Sequence, residues 1–321
     1  MTVKEEKSLK FLRNITKQLY KFDYSDVKPS LIDYVKSLPI PIMINERFPT
    51  FNRGGFYRDP KLLYRSCENS TRIETRATMT LPWKDVGRIS HAPIDRQTEY
   101  IKEYGRANLP GEARFYCSNY YPAACIECLT SGFVKGINES KTVTMGTWKV
   151  NEPLALAQIA FSPQKLHELK HFNPSLYEER IKFTKDWYTH ALTEFEKDPT
   201  TDCSIDYTKE LLEFFSDEFG KTNIDSGRDY ILSNYYAECV FKQVYLDNPT
   251  TIDGIIYPSV KYSYQEYNIV LHPRAMSKIS FLNASQIWMT YDKQTMQMNC
   301  TPLETCGSDK LGNLQWERFK Y

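Results

Sequence analysis

Residues 104–129 read YGRANLPGEARFYCSNYYPAACIECL, and three kinds of local structure succeed one another within them. Gly105, Pro110 and Gly111 bound a loop that carries Arg106 and Asn108. Arg114–Ser118 reads as a strand. Pro122 suits the first turn of a helix, having no N–H to lose there, and the small and apolar run after it predicts a compact helix from Ala123 to Ser131. An arginine on a loop at a scaffold edge is a plausible phosphate clamp, although a solvated arginine is the commoner case.

Working outward, the same economy of short strands continues. Leu62–Arg65 begins a strand, Thr142–Val150 alternates, and Leu154–Phe161 follows Pro153 as another. The next hundred residues are mostly helical in spacing. Pro174–Lys197 places Ile181, Tyr188, Leu192 and Phe195 on one stripe, and Asp206–Phe219 and Gly227–Leu246 follow. Strands return at Gly254–Val260, Tyr267–Leu271 and Ile287–Thr290, with a hairpin partner near Met296–Cys300. Strands, a helical block and strands again predict an α+β fold with a mixed sheet core and a helical insertion at about 163–246. No βαβαβ alternation supports a doubly wound fold. Ser8–Phe22 (Leu9, Leu12, Ile15, Leu19) and Leu31–Leu38 predict a helical N-terminal extension over 1–56, ending in an Arg53-Gly54-Gly55 turn. The central domain then spans 57–275, and 276–321 is a strand or hairpin extension.

Composition narrows the function. The 321 residues hold 41 Lys and Arg against 40 Asp and Glu, a formal charge of +1, which argues against a nucleic-acid partner. Aromatics at 14% mark a chain that folds. No stretch approaches the ~20 apolar residues of a membrane span, and Met1–Ser8 has charge without an apolar run, so the expectation is a soluble, cytoplasmic protein with no membrane partner. Eight cysteines then read as reduced thiols.

Four features could carry chemistry: Glu127, the Tyr104–Gly111 loop with Arg106 and Asn108, the Asp253–Val260 segment, and Lys61-Leu-Leu-Tyr-Arg65, whose arginine ends a short apolar run and could point into a cleft, although a structural ion pair is the default reading. Glu127 sits among Ala123, Ala124, Cys125, Ile126, Cys128 and Leu129. A carboxylate in so apolar a segment either meets a cation or has a raised pKa and a task; a structural Arg–Glu pair or a side chain escaping to solvent is the competing reading. Cys125 and Cys128 bracket it in a CxxC spacing, but within an apolar helix they read as core thiols. Asp253-Gly-Ile-Ile-Tyr257-Pro258-Ser259 is a turn and a strand. Pro258 cannot donate to a ladder, so this strand lies at an edge or breaks there, with Ser259 at the interruption. His167-Glu168-Leu-Lys-His171 matches the helical zinc-protease spacing, but Pro163 and Pro174 confine that helix to about ten residues and no third ligand follows in a recognisable motif. The tyrosines of Tyr262-Ser-Tyr264-Gln-Glu-Tyr267 read as cleft wall or surface.

Leu63-Tyr-Arg65, Gly105-Arg-Ala-Asn108-Leu-Pro-Gly111, Phe115-Tyr116-Cys-Ser118, Glu127, Asp253-Gly-Ile-Ile-Tyr-Pro-Ser259 and Asn268, in that order, resemble the RES-domain family. Its best-known members are NAD⁺-consuming toxins of toxin–antitoxin pairs. The resemblance covers residues 60–275. The long Arg65–Gly105 interval, the helical block and both extensions depart from compact members. It implies a fold related to ADP-ribosyltransferases, with NAD⁺ as substrate and no metal. It also implies an antitoxin protein covering the cleft, and a homodimer is compatible with it. Glu127, Arg65, Tyr116 and Ser259 would be catalytic. Arg65, Gly105, Arg106, Asn108, Tyr116 and Asn268 would bind the dinucleotide. Water, phosphate or a protein side chain as acceptor would make the enzyme a glycohydrolase, a phosphorylase or an ADP-ribosyltransferase. A zinc protease through His167, Glu168 and His171, or a silent nucleotide-binding module, are the alternatives.

Overall fold

The computed structural model describes residues 1–35, 37–45, 59, 61–74, 77–129, 139–197, 203–244, 251–262, 265–292 and 297–317. Two helices, α1 (Val3–Ile15) and α2 (Tyr24–Tyr34), precede the strands β1 (Ile42–Asn45) and β2 (Leu62–Glu68). A separate antiparallel pair, β3 (Ser70–Glu74) and β4 (Ala77–Leu81), follows, then a single turn α3 (Gln97–Tyr100), β5 (Phe115–Ser118) and α4 (Tyr121–Glu127). After β6 (Glu139–Val150) and β7 (Leu154–Gln158) come α5 (Pro163–Phe172), α6 (Pro174–Lys197), α7 (Ile205–Phe219) and α8 (Ile231–Lys242). The chain ends in β8 (Gly254–Pro258), β9 (Tyr267–Leu271), β10 (Ile279–Asp292) and β11 (Gln297–Cys306).

Nine strands make one mixed sheet in the order β1-β7-β8-β9-β5-β2-β6-β10-β11. Among the described residues, only β7 and β8 run parallel in it. Parallel neighbours need a long crossover, and the helical block α5–α8 is that crossover. Side chains alternate across the sheet. Leu154 and Leu156 of β7, Ile256 of β8 and Ile269 and Leu271 of β9 face α5 and α6, with Leu166, Leu169, Leu176 and Tyr177 in their core. Ala157, Ile255, Tyr257 and Val270 face the opposite side, where α7 and α8 meet α1 and α2 through Leu12, Leu31, Phe215, Phe219, Tyr235 and Tyr236. Covered on both faces, β8 and β9 are buried along their whole length, as the near-continuous apolar runs of central strands require.

The α+β reading holds, with differences of physical origin. The helices expected at Ser8–Phe22 and Leu31–Leu38 lie earlier, because Thr2 and Asp23 form capping boxes that start α1 and α2. The buried stripe of α6 is Leu176, Tyr177, Arg180, Thr184, Trp187, Tyr188 and Ala191. Arg180 hides this register in the sequence: its fully buried guanidinium donates to Gln265 O (2.5 Å) and lies over Phe161. The two terminal segments expected as extensions join the same sheet, β1 through β7 and β10 through β6. The Arg53-Gly54-Gly55 turn, residue 57, Leu246 and Met296 lie outside the described residues. Among the described residues, no helix is long and apolar enough to cross a membrane.

Candidate functional site

Strand register assembles the site before any side chain is considered. Tyr116 on β5 lies opposite Val270 on β9, while Ser118 and Tyr257 both lie opposite Asn268. Opposed residues share a face, so Tyr116, Tyr257 and Asn268 project from the side of the sheet that α7 and α8 cover. The short helix α4 packs beside them on β2, β5, β6 and β9.

Helix α4 ends at Glu127, with Cys128 as its cap, rather than at Ser131; Thr130 and Ser131 lie outside the described residues. The carboxylate is half-buried. Its Oε1 accepts from Ser259 Oγ (2.6 Å), Asn268 Nδ2 (2.8 Å) and the Lys261 backbone N–H (3.1 Å). These are hydroxyl, amide and peptide donors. All three converge on one oxygen, so Oε2 keeps no partner among the described residues. Lys261 Nζ instead closes the helix end, donating to Glu127 O (3.1 Å) and Leu129 O (2.8 Å), where unpaired carbonyls and the dipole favour an ammonium.

Ser259 reaches Glu127 because β8 stops at Pro258. The strand is interior, not an edge, and the ladder is closed beyond the proline by Ser259 N donating to Glu266 O (2.7 Å). Arg180 of α6 holds the adjoining Gln265 carbonyl, so the crossover steadies the loop that carries Ser259 and Lys261.

The loop 105–108 closes over the Tyr116 hydroxyl on β5. Tyr116 Oη donates to Asn108 Oδ1 (2.8 Å) and accepts from the Ala107 N–H (2.9 Å). Burial pushes the Tyr116 hydroxyl up to about 12, against the Ala107 hydrogen bond that lowers it. A Cβ on Gly105 would stand 2.2 Å from Asn108 Oδ1 and 2.9 Å from Tyr116 Oη, so only glycine permits this approach. Arg106 donates to Phe219 O (2.5 Å) and Lys221 O (3.1 Å) at the C-terminus of α7, and its guanidinium lies 5.0 Å from the Tyr230 ring. The guanidinium read from sequence as a phosphate clamp therefore anchors the loop to the helical crossover in this structure. Asn234 of α8 adds a bond to Gly105 O (2.8 Å).

Arg65 lies opposite Gly146 in the β2–β6 register. Its Nη1 donates to Tyr116 O (2.8 Å), and its guanidinium sits 5.5 Å from the Phe115 ring. Its Nε–H is buried with no hydrogen-bond partner among the described residues. Burial lowers its pKa, and its charge is felt at Cys128, the residue after Glu127. The structure thus brings Glu127, Ser259 and Asn268 into direct contact, ties Gly105, Asn108 and Tyr116 into a second cluster, and places Arg65 on β2, the strand against which α4 packs, bonded to the Tyr116 carbonyl.

Two residues escaped the sequence reading. Lys261 stands two positions after Ser259, and that spacing was its only signal. Tyr257 was quoted in the strand motif without a role. It is buried, lies opposite Asn268 in the β8–β9 register, and burial drives its hydroxyl far upward. Tyr262 meets Tyr120 edge-on at 5.6 Å, in keeping with a cleft wall, whereas Tyr267 is core and Tyr264 lies outside the described residues. His167 and His171 are exposed on α5, which ends at Phe172 as its flanking prolines suggest. No group of three His, Cys, Asp or Glu able to hold a metal occurs among the described residues. Comparison with protein-family models, curated proteins and solved structures returns no match for this chain.

Proposed function

We propose that this protein cleaves the nicotinamide–ribose bond of NAD⁺ on the sheet face between α4 and the 105–108 loop. One observation carries the reading: three donors hold Glu127 by a single carboxylate oxygen, leaving the other to act. Nicotinamide leaves a pyridinium as a neutral molecule and needs no strong acid. Positive charge grows on the ribose instead. A carboxylate already oriented, in a site partly withdrawn from water, stabilises that charge without reorganising. Ser259 and Asn268 fix its angle. The planar, charged Arg65 guanidinium suits the pyrophosphate. Tyr116 and Asn108 shape the wall, and Arg106 holds that wall in place. The order of these residues along the chain, which resembles the RES family, supports the same reading.

Mass spectrometry of NAD⁺ incubated with the protein, with and without inorganic phosphate, tests it. Free nicotinamide is expected in at least one of three incubations: in buffer alone, with inorganic phosphate, and with added cell lysate. ADP-ribose marks water as the acceptor, ADP-ribose phosphate marks phosphate, and adducts on an added lysate protein mark transfer to a side chain. Absence of nicotinamide under all three conditions overturns the proposal.

A further inference from the structure

At the first turn of α4 lies a cavity that the carboxylate site does not use. Its volume is about 540 Å³, in the range of small-molecule sites. Tyr120, Tyr121 and Tyr262 line it, together with Met298, Asn299 and Thr301 of β11, the last strand of the sheet. The three tyrosines are half-buried. Their rings stand at steep angles: Tyr120 and Tyr262 are 5.6 Å apart at 70°, and Tyr120 and Tyr121 are 5.8 Å apart at 60°. Among the described residues that line the cavity, none is charged. Aromatic faces stack on any base, whereas a phosphate backbone is held by Lys and Arg. A lining of tyrosine, methionine, amide and hydroxyl therefore suits one flat, uncharged base rather than a nucleic-acid strand.

The cavity is continuous with the carboxylate site along the chain. Tyr262 follows Lys261, whose N–H holds Glu127, and Tyr120 stands two residues after Ser118, which lies opposite Asn268. Tyr121 opens α4 and Glu127 ends it. At 1.5 Å per residue the two are about 9 Å apart along the helix axis. A single bond joins nicotinamide to the ribose beside Glu127, so that ring cannot reach the cavity. The other base of the dinucleotide, separated by two riboses and a pyrophosphate, can. We propose that this cavity receives the adenine of NAD⁺. Its β11 wall comes from beyond residue 275, outside the stretch that resembles the RES family, so the subsite is an addition of this chain. The identity of the dinucleotide rests on the NAD⁺-cleaving reading; the preference for a lone base rests on the lining.

The probes are the two halves of the substrate, AMP and nicotinamide mononucleotide, added separately to the full-length protein. Calorimetry gives affinity, and amide hydrogen exchange read by mass spectrometry gives location. AMP is expected to bind and to slow exchange in the peptides that contain residues 120–121 and 298–301. Nicotinamide mononucleotide should leave those peptides unchanged. Tyr262→Ala, checked for a normal melting curve, should weaken AMP binding about 10-fold and raise KM for NAD⁺ by a similar factor, as loss of a stacking face does. Tyr262→Phe, which keeps the ring, should retain most of the affinity. No AMP binding, AMP binding without protection of those peptides, or equal protection by nicotinamide mononucleotide overturns the assignment, and these readings need no variant. Unchanged AMP affinity in a folded Tyr262→Ala protein overturns it as well. If AMP protects the cavity but NAD⁺ releases no nicotinamide, the function proposal fails and the base site stands. If nicotinamide is released while AMP leaves the cavity unprotected, the function proposal stands and the base site fails.

Discussion

At the scale of the residue, Glu127 depends on where its donors point. Ser259, Asn268 and the Lys261 N–H hold Oε1, so replacing the carboxylate by an amide keeps shape but removes charge and turns one acceptor into a donor. Glu127→Gln is expected to reduce NAD⁺ turnover about 100- to 1000-fold with KM little changed, as for loss of a group acting on transition-state charge. Unaltered turnover would remove the electrostatic role. The apolar neighbours made this glutamate conspicuous in the sequence. They could not show its company, since Ser259 and Asn268 are 132 and 141 residues away along the chain. Arg106 illustrates the reverse: a loop arginine before a strand suggests an exposed anion clamp, and only the nearby end of α7 turns it into an anchor.

At the scale of the element, the 105–108 loop hangs on that anchor. Two charge-assisted bonds from Arg106 close the carbonyl end of α7, and Tyr116 and Asn108 close the loop on itself. Arg106→Met keeps much of the aliphatic stem but loses both bonds. It should lower stability by about 2 kcal/mol, read by urea denaturation, and raise KM for NAD⁺ as the wall loosens. A Gly105→Ala change drives its methyl group into the Asn108 and Tyr116 side chains, which are hydrogen-bonded to each other, so the same rise in KM is expected from a single methyl group. Normal KM in both variants would separate this loop from the substrate. Element identity was legible here: the Gly and Pro punctuation, the Phe115–Ser118 strand and Pro122 at a helix start are local signals. Boundaries were less so, because α4 stops where Lys261 caps it, and that lysine comes from a distant hairpin.

At the scale of the molecule, the N-terminal helices and the crossover fold as one body. Leu12 and Leu31 are fully buried against α7 and α8. Glu238 on α8 joins them electrostatically, accepting from Lys28 Nζ (2.6 Å) and Tyr24 of α2 and from Lys242 of its own helix. Burial by itself would raise the Glu238 pKa, but the bonds from Lys242, Lys28 and Tyr24 outweigh it and hold the carboxyl at about 2, below the ordinary 4.5. A carboxyl depressed in the folded state contributes stability at pH above its unfolded value and loses it as the folded pKa is approached. The melting temperature should therefore fall as pH drops from about 4.5 to about 2. Glu238→Gln should melt lower at neutral pH and show a shallower fall across that window. An unchanged acid limb in the variant would assign acid sensitivity to other groups.

Periodicity, proline and glycine positions and capping residues are local, and they determined by themselves that this chain makes an α+β protein of short strands around a helical block. Its apolar neighbours made Glu127 conspicuous, and only the ordered resemblance to the RES family joined it to Ser259 and Arg65 in one expected chemistry. The tertiary structure decided that the helical block is the crossover between β7 and β8, that both terminal segments belong to the one sheet, and that Lys261 and Tyr257 join the site. The reason is physical: strand order and side-chain company depend on which apolar faces bury one another across long loops, and no window of sequence contains both partners.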